Sequence, residues 1–447
     1  MAVILVSVAL NASVLAFIAH QNPAYLSDYR ASIDPDGLGY VRIGQNVFLH
    51  GAFTSQEHGP YGSGDMRRTP LYPLIAGGAN LLFGAIWPLY LFQMVLSTGT
   101  SIILYVLISR LFSPAAGLFV GLLHATDPTL AVLNSKPFTE SSFLFFTTLG
   151  LFFWLRTVLP LAANPRRYLC SFLGGLTLGL AALIRPTGLY LPILIFGIHG
   201  AILIRRKMLS HIAQPAVVFL SAYALVIPWI VRNHSVFGVW RYTSVDSSIL
   251  CEFVGAGVYQ TQFGFPTREA ALGQLNSDYH LVDTGPVPIQ DLRRRETAWD
   301  IFRKYPQATV WTLGAALGRG LFSHNMAELA DLARASWVHP SLDGLWHGDV
   351  RAFTSRLQCN HPFLIALFVW TELLALASCL WTFAAVFLGI VVGKHRPLML
   401  ATLALAAYFA MNIVLQAPIP DPRMRVPLYV VLLFLLPFVI YHDRAPN

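Results

Sequence analysis

The chain opens "MAVILVSVALNASVLAFIAH" (residues 1–20), and whether this run crosses a membrane or is removed as a leader sets the sidedness of everything after it. It has no basic start and no small-residue cleavage site leading into soluble sequence, the features a secretory leader needs. It therefore reads as a first span, since about 20 apolar helical residues cross roughly 30 Å of hydrocarbon.

Nine more apolar runs lie downstream, at 88–110, 114–132, 140–160, 168–187, 189–205, 215–232, 362–390, 397–416 and 426–441. Of the 447 residues, 55% are hydrophobic and only 12% charged, against roughly 25% charged in a soluble domain. The expected fold is an all-α polytopic membrane protein of about ten transmembrane helices. Lys and Arg number 30 and Asp and Glu 22, a net +8 that suits cytoplasmic loops facing anionic membrane lipids. Nucleic acid is excluded as a partner, because no basic run is interleaved with aromatics in a soluble domain.

The short connections "SRLFSP" (109–114), "ANPRRY" (163–168), "RRKMLSH" (205–211) and "GKHRP" (393–397) and the tail "HDRAPN" (442–447) are basic and fall on one side of this count. By the positive-inside rule that side is cytoplasmic. Two long segments then lie outside: 21–87, with juxtamembrane helices, and the larger 239–361. Three units follow: an N-terminal transmembrane module (1–238), an extracytoplasmic segment (239–361) and C-terminal helices (362–447). The run "PQATVWTLGAALGRGLF" (306–322) stays outside, because Arg319 breaks it. Cys251 and Cys359 share the outer segment, where an oxidising compartment would permit a disulfide.

Charges on the outer face carry the chemistry. Arg185 and Arg232 each lie about 17 residues into an outward helix, near the outer interface. Arg423 and Arg425 occupy "PIPDPRMRVPLY" (418–429), whose prolines favour extended backbone that would place both on one side. Lys136 and Glu140 lie in "NSKPFTESS" (134–142). Any one arginine reads as a snorkelling anchor. Together, on the non-basic side, they suit a phosphate held at headgroup depth.

In "SIDPDGLGY" (32–40), Asp34 before Pro35 reads as the N-cap of a helix running to about Leu49, with Tyr40, Ile43 and Val47 on one face. Asp36 falls in the first turn. There it either complements the helix dipole or, kept ionised by it, accepts a proton from a hydroxyl.

Five stretches in order resemble the GT-C glycosyltransferases, in the branch of protein O-mannosyltransferases and the lipid A aminoarabinose transferase. They are "DGLGYVRIGQNVFLHGAF" (36–53) with "RRTPLYPLIAGGANLLFG" (67–84), then "TESSFLFFTTLGLFFWLR" (139–156), "GLTLGLAALIRPTGL" (175–189), "IPWIVRN" (227–233) and "RMRVPLY" (423–429). The resemblance implies an active site facing the periplasm or lumen, and the expected location is a bacterial inner membrane with the site on the periplasmic side. It implies a polyprenyl-phosphate-linked sugar donor and a glycan, lipid or protein acceptor. Asp36 would be the base and Glu140 would line the same site. Tyr40, Arg67, Arg68, Tyr72, Lys136, Arg185, Arg232, Asn233, Arg423 and Arg425 would bind substrate. Direct displacement at the anomeric carbon is expected, with no cofactor and no required metal, as no His/Cys ligand cluster appears. Two other readings stay open: a lipid-linked sugar flippase, which should place charges near the bilayer midplane, and a non-catalytic assembly partner.

Overall fold

A computed structural model describes residues 1–434 apart from 33, 60, 62–63, 159–165, 282–286, 322–325, 334–361, 393–395, 416 and 418–421. The described chain is helical and begins with α1 (Ala2–Gln21), α2 (Pro35–His50), α3 (Leu71–Phe83) and α4 (Trp87–Leu111). Then come α5 (Pro114–Ala125), α6 (Pro128–Asn134), α7 (Glu140–Val158), α8 (Arg167–Ile184), α9 (Leu191–Arg205) and α10 (Ala213–Phe237). Seven described helices are long and apolar enough to cross a membrane, eight if α5 and α6, bent by 53° at their junction, form one span. Spans carry exposed apolar side chains such as Val95 and Leu220, as lipid-facing helices require.

The expected count of ten is not reached among the described residues. The run at 114–132 is broken where Asp127 caps α6 and Pro128 supplies its first residue without an N–H. The run at 397–416 is a helix whose described part, Met399–Val414, is among the shorter apolar ones. The last run is helical from Arg425 to Leu433, and 435–441 lie outside the described residues.

The segment between α1 and α4 contains the expected short helices, α2 and α3, packed backbone against backbone. A Cβ on Gly44 would stand 2.7 Å from Gly77 Cα and fall on the Pro73 carbonyl oxygen. Only hydrogen at both positions allows that approach. The chain after α10 builds a small core of its own. After α11 (Val245–Ser248) comes a π-helical stretch, Ile249–Gly255, followed by α12 (Ala256–Phe263), α13 (Arg268–Asp278), α14 (Val287–Lys304) and α15 (Pro306–Leu321). Cys251, Val254, Leu275, Ala298 and Ile301 are buried together there. The α15 helix buries Ala308, Thr312, Ala316 and Gly320, one stripe at four-residue spacing, and is not among the helices able to cross a membrane. Cys359, the proposed partner of Cys251, lies outside the described residues. The remaining helices are α16 (Met326–Leu332), α17 (Pro362–Val392), α18 (Arg396–Val414) and α19 (Arg425–Leu433).

Candidate active site

The site starts from the cap of α2. Asp34 accepts hydrogen bonds from the backbone N–H of Asp36 at 2.9 Å and of Gly37 at 3.4 Å, satisfying donors that the helix start leaves open. Its second oxygen lies 3.2 Å from Lys136 Nζ. Lys136 sits on a turn between α6 and α7 that the bundle holds firmly. Gln93 of α4 donates to the carbonyls of Asn134 and Lys136, and Tyr25 donates to that of Ser135. The cap therefore fixes where Asp36 projects.

Asp36 projects between two arginines. Its Oδ2 is 2.8 Å from Arg423 Nη2 and its Oδ1 is 3.4 Å from Arg68 Nη2. Burial would raise its carboxyl pKa, but Arg423, then Arg68 and Arg67, outweigh burial and hold it below the usual carboxylate range. Asp34 and Asp36 are close enough in sequence to share a cation, yet they diverge, one to the cap and Lys136, the other to the arginines. Arg68 lies flat across α2 at Gly39, where a Cβ would come 2.6 Å from its Nη2. Asp65 holds the other side of its guanidinium at 3.1 Å. Tyr40, one turn on from Asp36, has its hydroxyl pushed up to about 12 by burial and then by the Asp36 charge. It is a neutral hydrogen-bonding group at physiological pH.

Asp36, Tyr40, Arg67, Arg68 and Arg423 line a cavity of about 710 Å³, a size that suits a small-molecule site. Glu140, at the start of α7, is buried and ion-paired with Arg185, while its Oε2 has no hydrogen-bond partner among the described residues. Arg185 follows the end of α8 in extended backbone, as the residue before Pro186 should. Thr69 donates to the Ile184 carbonyl at 2.8 Å and ties the chain before α3 to that helix end. The far wall comes from the chain after α10: Val245, Ser248, Ile249 and Phe253. It is tied across by Thr243, which donates to the Arg67 carbonyl at 2.7 Å, and by the Ser244 N–H, which donates to that of Met66 at 3.0 Å. Nothing in the local sequence marked this wall. Its π-helical turn and its partners arise from contacts far apart in the chain.

Of the expected site residues, Asp36, Tyr40, Arg67, Arg68, Glu140, Arg185 and Arg423 line this cavity, and five do not. Tyr72 is buried behind Tyr40, their rings edge to face at 5.1 Å, and donates to Gln93. Lys136 is engaged with Asp34 and lies 4.3 Å from the Phe138 ring centre. Arg232 is enclosed by the rings of Phe53, Trp229 and Phe237 and donates to the Asp65 carbonyl at 3.1 Å. Asn233 donates to the carbonyls of Arg241 and Tyr242. Both join α10 to its surrounding loops.

Arg425 corrects the expectation of two arginines on one side. Pro422–Met424 is a 3₁₀ turn and Arg425 begins α19. At about 120° per residue, side chains two apart point in widely different directions, whereas extended backbone would have aligned them. Arg425 donates to Thr129 Oγ1 at 2.9 Å and to the Leu321 carbonyl at 3.2 Å, beside Asp127. The space there is about 20 Å³, room for one water molecule.

Residues 67–231, just over a third of the chain, match the family model of the dolichyl-phosphate-mannose-protein mannosyltransferases. No curated protein matches the chain. Among solved structures, the oligosaccharyltransferase of Archaeoglobus fulgidus, in complex with Zn and sulfate, aligns over 96% of this chain and 49% of its own, at 15% identity and a TM-score of 0.47. ArnT from Cupriavidus metallidurans bound to undecaprenyl phosphate aligns over 96% of this chain and 77% of its own, at 15% identity and a TM-score of 0.42. The chain thus spans about half the length of the oligosaccharyltransferase that it matches.

Proposed function

We propose that the chain is an integral membrane glycosyltransferase that moves a sugar from a polyprenyl-phosphate donor to a hydroxyl on a lipid, glycan or protein, on the periplasmic or lumenal side. The observation that carries this reading is the half-exposed carboxylate of Asp36 sharing a roomy cavity with Arg67, Arg68, Arg185 and Arg423, and with the buried Glu140. The segment matching the mannosyltransferase family contains Arg67, Arg68, Glu140 and Arg185 of that lining, which supports a donor of the same chemical kind.

Transfer needs three things: a cation for the departing phosphate, a base for the hydroxyl and a fixed distance between them. The acceptor oxygen attacks the anomeric carbon, and the bond from that carbon to the phosphate oxygen breaks with its electron pair going to the phosphate. Arg423 and Arg68 stabilise that growing charge. Asp36 takes the hydroxyl proton as the new bond forms and returns it to solvent afterwards. The Glu140–Arg185 pair lies at the cavity wall, where it holds a second guanidinium for the phosphate or the sugar hydroxyls. No cofactor is called on.

The test is release of free polyprenyl phosphate from a panel of polyprenyl-phosphate hexoses and pentoses, in vesicles carrying the full chain with their native acceptors. Wild-type protein should turn over at least one donor. Asp36→Asn should do so about 10²-fold more slowly, the usual contribution of a general base. Full activity of Asp36→Asn would remove the base assignment, and silence across the panel would remove the reading.

A further inference from the structure

We infer that Asp36 is the resident counter-anion of the Arg68–Arg423 pair, and that a phosphate headgroup binds by displacing it, so that donor arrival and release of the base are one event. This rests on the glycosyltransferase reading above and adds an order of events to it.

The geometry is that of an occupied anion site. Two guanidinium groups from distant segments each meet one oxygen of the same carboxylate, as they would meet two non-bridging oxygens of a phosphate. The arginines are the fixed partners. Arg68 is held between Asp65 and the bare backbone of Gly39, and Arg423 lies 4.8 Å from the Phe138 ring centre. Asp36 is the movable one. Its backbone is pinned by the Asp34 cap, but its side chain keeps 43% of its exposure and opens on the cavity, whereas Glu140 keeps 1%.

In the free protein the base is therefore occupied, since a carboxylate clamped by two cations holds a proton poorly. A phosphate taking over the arginines would free that carboxylate and put a second negative charge beside it. Both changes raise its affinity for the acceptor proton. A neutral lipid entering the cavity would leave the clamp closed and the base idle, which makes the exchange a selectivity device for anionic headgroups.

The exchange predicts an affinity change opposite in sign to the loss of turnover. With the full chain in lipid nanodiscs and undecaprenyl phosphate as the probe, Asp36→Asn should bind about tenfold more tightly than wild type at pH 7, because the ligand no longer competes with charge-assisted bonds. Asp36→Ser serves as a second variant, and thermal midpoints verify that both are folded. In an Arg423→Ala background the Asp36→Asn step should gain less than about threefold, since much of the competition is gone. Equal gains in both backgrounds would mean long-range charge repulsion and overturn the exchange. Unchanged or weaker binding by both variants would overturn it while leaving the donor reading intact. Failure of the wild type to bind the probe would overturn both.

Discussion

Arg423 and Arg425 stand two residues apart, and their surroundings could hardly differ more. Arg423 faces a cavity of about 710 Å³ and a half-exposed carboxylate on α2. Arg425 is buried against Thr129, the Leu321 carbonyl and Asp127, in a space of about 20 Å³. One guanidinium has an anion that a ligand can replace. The other has its donors turned to the protein and no room for anything larger than water. The chemistry of the side chain is the same in both, so the difference lies in the space around it and in the mobility of its partners. These arginines are thus of two kinds, cavity-facing and bracing, and Arg232 within its three aromatic rings belongs with Arg425.

The comparison breaks most visibly in Arg425→Ala. Losing a buried guanidinium leaves polar groups unpaired beside Asp127, and the cost should be about 3 kcal/mol or more, read as a lowered thermal midpoint in detergent. The folded fraction should still bind undecaprenyl phosphate within about threefold of wild type. Lost binding with an unchanged midpoint would show that Arg425 touches the ligand. Arg423→Ala should do the reverse, weakening binding by about 1.5–3 kcal/mol with little effect on the midpoint. Arg423→Lys should recover only part of this if the contact is two-pronged. Equal loss of stability in the alanine variants of both arginines would erase the distinction.

A smaller effect concerns pH. The folded-state pKa of Asp36 is depressed, so its ion pairs contribute stability above the unfolded carboxyl pKa. That contribution is lost as pH falls through the depressed folded value. With the side chain 43% exposed, the contribution is small. Acid titration of the midpoint should therefore give nearly parallel curves for wild type and Asp36→Asn at neutral pH, converging only below the ordinary carboxylate range. Convergence already near neutrality would mean that the arginines do not clamp this carboxylate.

Much of the architecture was legible because it is written locally. Apolar runs of span length, the Asp34–Pro35 helix start and the acidic residue of its first turn each depend on residues within a few positions of one another. The structure places Asp34 at the cap, as its spacing indicates. Partner choice was not legible. Arg185 caps the end of α8 and Arg232 lies in the last turns of α10, yet one lines the cavity and the other is enclosed by rings. Which occurs depends on where Asp65, Phe53 and the loop after α10 come to rest. The cavity wall at Val245–Phe253 was invisible for the same reason, being held by bonds such as that from Thr243 to the Arg67 carbonyl, 176 positions apart.

The amino-acid order by itself determined a helical membrane protein, a charge excess in its short connections, and an acidic helix start at Asp34–Asp36. The tertiary structure alone decided which arginines reach Asp36, because a long, flexible side chain takes its role from the groups that surround its tip. Between Arg423 and Arg425 that decision came down to one 3₁₀ turn, which sent two neighbouring guanidinium groups in different directions.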